Sequence, residues 1–384
     1  MRSFAAKAGT ERVICDKINW LASNGYEVSL LTYEQGSHPL SFPLHKNVRH
    51  YDLNVRFFTL NSYPLYIRLF MLFRYKRLFS KRLQSIVDKF TPDIIITTTY
   101  SLKVASEITN LHADSIKIIE SHVACGQISK VNDYKEGSVM RYIVRMYDFF
   151  NYRKVCAFDK LVVLTKGDAK QWMKYTSKII VIPNPVTCIP ISTNACKKLS
   201  HRIVAVGRLH SQKGFDLLIE AFSRISSSIP KWYIDIYGHG EDESMLRNLI
   251  NIKGLEGRIN LKGVTNDIYH EYKKSQFLVL SSRYEGWGLV LVEAMSCGIP
   301  CVSFRCDFGP DEIITDGEDG LLIENGDIQS LADSILWMAI HEKERKEMGY
   351  NAQIRSKNFM LDDIMKQWTV FFTELIGIKN RKKG

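Results

Sequence analysis

The sequence predicts an α/β fold with two Rossmann-like, doubly wound domains that face each other across a cleft. Apolar, β-branched segments alternate with helical patterns along the whole chain, which is typical of parallel sheets covered by helices. The length of 384 residues is sufficient for two or three domains. The alternation stops once, from residue 183 to residue 200, where prolines and polar residues indicate a linker.

The first predicted domain comprises residues 1–185 and the second residues 186–357, and residues 358–384 form a C-terminal helical segment. Strands of the first domain are expected at Glu27–Thr32, Val48–Leu53, Asp93–Thr99, Ile116–Ser121, Lys160–Thr165 and Ile179–Pro183. Strands of the second are expected at Arg202–Gly207, Trp232–Gly238, Arg258–Lys262, Phe277–Ser281, Pro300–Phe304 and Gly320–Ile323. The helices between and after them include Val13–Asn24, a long one near Tyr63–Phe90, Phe215–Ile225, Ile328–Ile340, Glu342–Ser356 and Leu361–Ile376.

Positive charge is concentrated in the first domain. The chain carries 52 Lys and Arg against 41 Asp and Glu, a formal net charge of +11. Residues 1–185 hold 27 basic and 15 acidic residues, a net charge of +12, and the remainder has a net charge of −1. Such an excess suits nucleic acid or an anionic membrane surface. Because the sequence has no zinc finger, basic zipper or aromatic RNA-binding signature, nucleic-acid binding is not favoured.

The cysteine pattern and the hydropathy indicate the compartment. Eight cysteines are scattered without a C-x-x-C pair or a Cys/His cluster at zinc spacing, so disulfides and a zinc site are not expected. The most apolar stretch, Leu65–Phe73, is interrupted by Arg68 and is too short to span a bilayer. The first residues lack the apolar core of a signal peptide. We expect a cytoplasmic protein, soluble or peripheral at the inner face of the cell membrane.

The first chemical motif follows the first strand of the second domain and reads V-G-R-L-H-S-Q-K-G-F, residues 206–215. Gly207 closes the strand and Gly214 opens a helix, so Arg208 and Lys213 project from a strand-to-helix loop. Two cations beside a helix N-terminus form an anion site suited to a diphosphate. The alternative, two solvated surface cations, is disfavoured by the position at the end of a strand, where ligands of doubly wound sheets bind.

The second motif, S-R-Y-E-G-W-G-L-V-L-V-E-A-M at residues 282–295, follows a buried strand. Gly288 lets the backbone approach a ligand closely, and the N–H groups of residues 288–290 are free to bind phosphate oxygens. Glu293, one turn into the helix, can accept hydrogen bonds from vicinal hydroxyls such as those of a ribose. Glu285 can hold a hydroxylated ring or stabilise positive charge at a reacting carbon. The alternative is a glycine turn with two helix-stabilising acids.

Weaker signals lie at other strand ends. Asp307 and Glu312, in C-D-F-G-P-D-E-I-I, either contact sugar hydroxyls or cap a helix, and Gly238 lies in a turn at the same edge of the sheet. In the first domain, His122 follows a strand, where a structural and a functional role are equally favoured. Gly9 precedes the first helix in a turn expected to face the cleft.

Together these motifs resemble the family-four retaining nucleotide-sugar glycosyltransferases, which have the GT-B fold. The resemblance covers almost the whole chain and is most specific in V-G-R-L-x4-K-G, in E-G-W-G-L-V-L-V-E-A-M-S-C-G-I-P, and in the passage from D-F-G-P-D-E-I-I to D-G-E-D-G-L-L-I. It implies that the second domain binds the nucleotide diphosphate-sugar and the first binds the acceptor. It also implies that the last helix, Leu361–Ile376, packs back on the first domain.

The resemblance assigns roles to individual residues. Arg208 and Lys213 would hold the diphosphate, Glu293 the ribose and Glu285 the donor sugar, while His122 matches the family's histidine beside the reacting carbon. The catalytic residues expected are His122, Glu285, Arg208 and Lys213. The donor-binding residues expected are Arg208, Lys213, Glu285, Gly288, Leu289, Val290, Glu293, Gly9 and Gly238.

The N-terminus departs from the family pattern. Family members begin with an apolar strand that is central in the sheet, followed by a glycine-rich loop and the helix that matches Val13–Asn24. Here the eight residues before Gly9 do not have the pattern of a strand. Either a longer chain supplies this strand, or the sheet forms without it.

The expected reaction is transfer of a hexose-type sugar from a UDP or GDP donor to a sugar hydroxyl, with retention, on a lipid-linked or surface-polysaccharide acceptor. No D-x-D metal motif lies in a strand-end loop, so Arg208, Lys213 and the helix dipole would neutralise the leaving group without a metal or a cofactor. The transition state should resemble an oxocarbenium ion. Since no first-domain carboxylate stands out as a nucleophile, front-face attack is expected.

Three alternatives stay open. A nucleotide-sugar epimerase would act without an acceptor, and a phosphorylase would need a cofactor-bearing lysine motif that the sequence lacks. A nucleotide-sugar-binding protein with impaired catalysis would bind the donor without transfer.

On the acceptor side, basic and bulky apolar residues recur at helical spacing over residues 68–83. This pattern suits a helix on an anionic leaflet as well as it suits a core-facing helix with a solvated basic face.

Overall fold

The chain divides into two units, Met1–Pro185 with Leu361–Gly384, and Val186–Met360. The structure, a computed structural model, describes residues 1–5, 8–127, 135–187 and 201–381. Residues 188–200, most of the predicted linker, lie outside the described residues. Within the described residues, no helix combines the length and the apolar composition that crossing a bilayer requires.

Six strands and six helices are described in the first unit. The strands are β1 (Ser29–Thr32), β2 (Arg49–Asp52), β3 (Ile94–Thr98), β4 (Ile116–Glu120), β5 (Lys160–Val163) and β6 (Ile179–Val181). The helices are α1 (Gly9–Ser23), α2 (Leu65–Phe90), α3 (Leu102–Thr109), α4 (Val139–Arg153), α5 (Lys166–Trp172) and, at the end of the chain, α13 (Leu361–Arg381).

The strands of the first unit form two parallel sheets, one of β1 and β2 and one in the order β3-β4-β5-β6. The described residues before Gly9 form no strand. On one face, α1 and α13 pack on the larger sheet, where Trp368 and Ile364 meet Ile118 and Val162. On the other face, α2 and α3 pack through Phe79, Leu83, Leu102 and Ile108. Apolar residues at helical spacing, such as 364 and 368 of α13, account for these buried faces.

The described part of the second unit has one six-stranded sheet. Its strands are β7 (Arg202–Val206), β8 (Tyr233–Tyr237), β9 (Ile259–Gly263), β10 (Phe277–Leu280), β11 (Cys301–Arg305) and β12 (Gly320–Glu324). Its helices are α6 (Phe215–Ile225), α7 (Glu243–Ile252), α8 (Ile268–Lys274), α9 (Leu289–Ser296), α10 (Pro310–Ile313), α11 (Ile328–Ile340) and α12 (Glu342–Ser356).

This sheet is parallel throughout, in the order β12-β11-β10-β7-β8-β9. The α/β prediction is therefore confirmed, and the twelve described strands lie within a few residues of the predicted positions. Strands that are buried on both faces read as continuous apolar runs, which is why the pattern located them. The chain order of the strands reverses between β7 and β10, so the loops that follow these two strands flank the switch point of the sheet.

Candidate active site

The two strongest sequence motifs form the two loops at this switch point. The loop of residues 207–214 follows β7, and the loop of residues 281–288 follows β10. Main-chain and side-chain hydrogen bonds join them: Arg283 N donates to Gln212 O at 2.8 Å, and Gln212 Nε2 donates to Tyr284 O at 3.1 Å. Arg283 also binds both carboxylate oxygens of Asp216, at 2.8 and 2.6 Å. The loops thus form one group of residues.

Glycines make this close approach possible. Gly214 has a φ of +60°, and a Cβ there would lie 2.0 Å from Ser281 O, at the end of β10. Gly238, predicted to bind the donor, has a φ of +147° and a virtual Cβ 1.8 Å from Gly207 O. The structure therefore gives Gly238 a packing role: it lets the turn after β8 contact the loop that carries Arg208.

Lys213 and Glu285 meet at the centre of the group. Lys213 Nζ donates to Glu285 Oε1 at 2.6 Å, and Ser282 Oγ donates to the same oxygen at 2.6 Å. Both charged side chains are largely buried, with 17% and 8% of their surface exposed. The stem of Lys213 lies across Gly207, whose virtual Cβ would be 3.0 Å from its Cγ. The pairing neutralises a buried carboxylate and fixes the position of the amine.

Arg208 differs from Lys213 in its surroundings. It is exposed and makes no hydrogen bond or ion pair to the residues that the structure describes. The second loop ends at Gly288, which has a φ of +96°, and α9 begins directly after it. The N–H groups of Leu289 and Val290 lie in the first turn of α9 and have no partner within that helix. One uncommitted guanidinium and free amides are both suited to an anion.

Glu293 lies in α9 and is 8% exposed. The hydroxyl of Tyr272, on α8, donates to Glu293 Oε2 at 3.1 Å. Burial is the main reason that the pKa of Tyr272 is raised well above its ordinary value, and the Glu293 carboxylate adds to the effect. Tyr272 therefore stays protonated and orients the carboxylate through its hydroxyl.

The third motif packs against the second. Gly309 has a φ of +97°, and a Cβ there would lie 1.9 Å from Trp287 O. Asp307 is exposed and Glu312 is half-buried. The indole nitrogen of buried Trp287 has no hydrogen-bond partner among the described residues. The motif thus shapes the loop that carries Glu285, while sugar contacts by Asp307 and Glu312 remain predictions.

The two other predicted residues, Gly9 and His122, lie in the first unit. Gly9 is the exposed first residue of α1. The helix therefore begins at Gly9 and not at the predicted Val13, so the prediction of a turn at Gly9 was wrong. His122 follows β4, and its side chain is 1% exposed. Its Nε2 lies 2.9 Å from Glu120 Oε2 without the alignment of a hydrogen bond, and its Nδ1 has no partner among the described residues. His122 can therefore still make a hydrogen bond through Nδ1.

Glu120 is held by a second cation. Lys17 Nζ donates to Glu120 Oε1 at 2.6 Å, and both side chains are more than nine-tenths buried. Burial alone would raise the pKa of Glu120, but Lys17 and His122 hold it down at about 2. Burial lowers the pKa of Lys17, and Glu120 opposes that change. The Glu120 carboxylate beside His122 is therefore ionised at neutral pH.

Sequence reasoning missed four residues of these clusters: Lys17, Glu120, Ser282 and Tyr272. Lys17 occurs at helical spacing between apolar residues of α1, and Glu120 ends an apolar strand. A charge on the apolar face of a helix and a charge inside a buried strand together indicate an internal ion pair. The sequence gives no such signal for Ser282 and Tyr272, because serine and tyrosine also occur in protein cores without a role at a site.

Two helices of the first unit carry exposed apolar faces. The beginning of α2 exposes Tyr66, Leu69, Phe70 and Phe73 by 63–74%, whereas Phe79 and Leu83 further along are buried. The exposed large apolar residues of α4 are Val139, Met140, Tyr142, Ile143, Met146, Tyr147, Phe149 and Phe150. Both helices pack against α3. The face of α4 was not predicted from the sequence.

Among residues 1–5, 8–127, 135–187 and 201–381, no group of three or more His, Cys, Asp or Glu side chains is placed to hold a metal ion. The six cysteines within these ranges are free thiols.

Comparison with known proteins gives one family. The model of the family described as "Glycosyl transferases group 1" matches residues 194–355. An uncharacterized glycosyltransferase of Haemophilus influenzae is 27% identical over 371 residues, 95% of this chain and 96% of that protein. A poly(glycerol-phosphate) alpha-glucosyltransferase of Bacillus subtilis is 28% identical over 179 residues, 47% of this chain and 27% of that protein. This chain thus spans about a quarter of the Bacillus protein.

Some solved structures are similar over nearly the full length of this chain. Sucrose-phosphate synthase from Thermosynechococcus elongatus has a TM-score of 0.77 and 20% sequence identity, covering 98% of this chain and 96% of that one. At this identity the likeness concerns the fold. It confirms the fold class that the resemblance implied.

Proposed function

Since the model of the glycosyl transferases of group 1 matches residues 194–355 and the chain has the GT-B fold, we propose that it moves a hexose-type sugar from a UDP or GDP donor to a sugar hydroxyl, with retention of anomeric configuration. Glycosyl transfer itself is supported by the family model and by the relatives. The donor, the acceptor and the stereochemistry are the proposal.

One observation carries the donor site. The loops after β7 and β10 place a paired lysine, a free arginine and the first amides of α9 at the switch point of a parallel sheet. Ligands of doubly wound sheets bind at such a point, beyond the carboxyl ends of the strands. Positive side chains and helix amides suit a diphosphate, and the oriented carboxylate of Glu293 suits two neighbouring hydroxyls. We assign the diphosphate to Arg208 and Lys213 and the ribose to Glu293.

The proposed chemistry uses these charges at the leaving group. As the bond from the sugar to the diphosphate breaks, negative charge grows on the leaving oxygen, and Arg208 and Lys213 stabilise it without a metal. Glu285 faces the positive charge that develops on the sugar ring. Because Lys213 is already held by Glu285, it needs little reorganisation when the donor binds. For His122 we propose a contact with the donor sugar through its unpaired Nδ1.

The acceptor is proposed to be a lipid-linked or surface polysaccharide at the inner face of the cell membrane. The excess positive charge lies in residues 1–185, and α2 and α4 expose apolar faces in the same unit. Basic and apolar residues on one surface are suited to an anionic leaflet. The name of the Bacillus relative, a poly(glycerol-phosphate) alpha-glucosyltransferase, supports a polymer as acceptor.

The test is a donor screen by release of UDP or GDP, with lipid-linked glycans as candidate acceptors and with or without EDTA. We expect acceptor-dependent release that EDTA leaves unchanged, and a product with the anomeric configuration of the donor. Inversion, or loss of activity with EDTA, would contradict the mechanism. Conversion of the donor sugar without acceptor would indicate an epimerase, and donor binding without turnover a binding protein.

A further inference from the structure

Arg283 lies in the loop after β10, two residues before Glu285, and its guanidinium group reaches across to the loop after β7. Nη1 donates to Ser211 O at 2.7 Å and to Asp216 Oδ1 at 2.8 Å, and Nη2 donates to Asp216 Oδ2 at 2.6 Å. Ser211 lies in the loop after β7, and Asp216 lies in the first turn of α6. One side chain of the second loop thus binds the chain on both sides of Lys213.

The charge of Arg283 is neutralised by this contact. It binds Asp216 through two parallel hydrogen bonds, the geometry in which a guanidinium and a carboxylate interact most strongly. Burial alone would raise the pKa of Asp216, but the hydrogen bond and the charge of Arg283 lower it below its ordinary value. Asp216 is therefore ionised at neutral pH. Because its charge is balanced in this way, Arg283 is less suited to bind a phosphate than the exposed Arg208.

Both main-chain polar groups of Arg283 are also bound. Its N–H donates to Gln212 O at 2.8 Å, and its carbonyl oxygen accepts from Asn325 Nδ2 at 2.8 Å. Asn325 directly follows β12, so the segments after β7, β10 and β12 meet at this residue. A residue that is bound through its side chain and through both main-chain groups has little conformational freedom left. Arg283 is therefore a fixed point against which the neighbouring loop is held.

The two serines that follow β10 contact Lys213 and its partner. Ser281 Oγ donates to Lys213 O at 3.0 Å, and Ser282 Oγ donates to Glu285 Oε1 at 2.6 Å. The same carboxylate oxygen accepts from Lys213 Nζ at 2.6 Å. Residues 281–283 therefore bind both the main chain around Lys213 and the carboxylate that its amine contacts.

The position of the Lys213 amine depends on how the two loops are spaced. Lys213 belongs to the loop after β7 and Glu285 to the loop after β10, so a shift of one loop changes the distance between amine and carboxylate. A lysine side chain has many rotamers, and its amine keeps one place only when its main chain and its partner are both fixed. The groups of a binding site must be held to within about 0.5 Å to be effective. The contact that spaces the loops thus bears directly on the anion site.

We propose that Arg283 is a positioning residue, which clamps the loop after β7 to the loop after β10 through Asp216 and Ser211. By this clamp it keeps the amine of Lys213 at Glu285. The inference rests on the proposed function where it concerns the donor: Arg283 strengthens the binding of the diphosphate through Lys213, without contacting the diphosphate itself.

The first test of the clamp does not involve the donor. It compares Arg283→Gln with Arg247→Gln, which breaks the pair of Arg247 with Glu243 on α7, 2.7 Å long, in the same unit. Amide hydrogen exchange in residues 207–214 should become about tenfold faster in Arg283→Gln and stay as in wild type in Arg247→Gln. Asp216→Asn should have the effect of Arg283→Gln, and the double variant should not exceed either one, because the two substitutions remove the same interaction.

The second test measures how Arg283 acts on the donor site. Calorimetry uses the nucleotide that the wild type binds, UDP or GDP, and the matching nucleoside, which has no phosphate. We expect Arg283→Gln to weaken the nucleotide by about tenfold and to leave the nucleoside unchanged. In a Lys213→Gln background, whose amide can still donate to Glu285, Arg283→Gln should cause no further loss. This dependence on Lys213 distinguishes a positioning residue from one that merely stabilises the fold.

Several outcomes would overturn the proposal. Unchanged exchange in residues 207–214 in Arg283→Gln would exclude the clamp, whether or not the protein binds a nucleotide. Equal losses of nucleotide affinity with and without Lys213 would show that Arg283 contacts the diphosphate itself. An equal loss for the nucleoside would show damage to the whole site. If exchange becomes faster as expected but the wild type binds neither UDP nor GDP, the proposed function fails and the clamp is supported.

Discussion

Arg208 and Lys213 carry the same charge in the same loop, yet their surroundings predict different variants. Arg208 is exposed without a partner among the described residues, whereas Lys213 neutralises the buried carboxylate of Glu285. On the proposed mechanism, removal of either cation weakens transition-state stabilisation. Only removal of Lys213 also leaves the buried Glu285 carboxylate without a positively charged partner.

We therefore expect Arg208→Ala and Lys213→Ala each to lower kcat/KM. The expected loss of transition-state stabilisation is about 2–4 kcal/mol in each variant. The unfolding midpoint should fall in Lys213→Ala and stay unchanged in Arg208→Ala. Steady-state kinetics and thermal unfolding check both statements, with the exposed Lys262→Ala as the matched control. Wild-type rates in both variants would remove the diphosphate assignment.

The buried pair of Lys17 and Glu120 predicts a pH dependence of stability. The pKa of Glu120 is about 2 in the folded protein and near 4.5 when unperturbed. Its contribution is therefore complete above about pH 4.5 and is lost as the pH falls towards 2. In Glu120→Gln this part of the acid-induced loss should disappear, as urea unfolding between pH 2.5 and 6 would show.

Lys17→Met should lower the free energy of unfolding by about 3–5 kcal/mol, because it leaves Glu120 buried without its lysine. Lys366→Met, which breaks an exposed pair with Asp363, is the control and should change little. Equal stabilities of the two variants would contradict the role of the buried pair.

At the residue scale, the sequence predicted where the site residues lie along the chain better than it predicted which residues they contact. The motif spacing placed Arg208, Lys213, Glu285 and Glu293 on strand-end loops and on a helix, as the structure has them. The partners Ser282 and Tyr272, and the pairing of Lys213 with Glu285, depend on which loops meet in space. Local periodicity does not contain that information.

Among the elements, the loop after β7 depends on Gly214. Alanine there combines an unfavourable positive φ with a contact of 2.0 Å to Ser281 O. Gly257→Ala is the matched control, because Gly257 also has a positive φ, +74°, but no atom within 4 Å of its virtual Cβ. The control should lose about 1–2 kcal/mol of stability. We expect Gly214→Ala to lose clearly more, together with donor affinity, in unfolding and binding measurements.

The exposed faces of α2 and α4 predict lipid binding. Phe70→Glu and Met146→Glu should each lower the fraction bound to anionic vesicles about tenfold, since each removes one apolar anchor. Val264→Glu, at a 72% exposed apolar residue of the second unit, is the control and should bind as wild type. Vesicle flotation at low salt measures this. Binding that is equal in all variants, or absent in wild type, would exclude these helices as the membrane face.

Strands and helices could be predicted from the sequence where their burial is uniform along the element. Apolar runs and helical periodicity located the described strands, and Phe215–Ile225 and Glu342–Ser356 have the predicted bounds. The beginning of α2 is exposed and apolar, and its later residues face the core. The core-facing interpretation therefore holds for the later part, and contact of the beginning with an anionic leaflet stays a prediction. A periodic pattern does not state whether an apolar face is covered, which is why α4 was missed.

At the scale of the whole molecule, the last helix belongs to the unit that begins the chain. Trp368, on α13, is 2% exposed and packs among residues of the first sheet. Trp368→Ala should therefore destabilise the first unit by about 3–5 kcal/mol. Val370→Ala, at a 58% exposed position of the same helix, should stay within about 0.5 kcal/mol of wild type. Urea unfolding followed by hydrogen exchange in residues 116–120 would assign the loss to that unit.

The contacts that join the two loops of the second unit also bear on how the site can change over generations. One of these contacts joins Arg283 N to Gln212 O, and a similar one joins Leu209 N to His239 O in the turn after β8. Both use main-chain atoms, which every non-proline residue possesses. Most positions along the loops can therefore drift in side chain while the pocket keeps its outline. Glycine positions such as Gly214 cannot change in this way, because a Cβ there would collide with neighbouring main chain. If the site binds the donor as we propose, new donor preferences can arise by exchange of side chains while the main-chain contacts between the loops are kept.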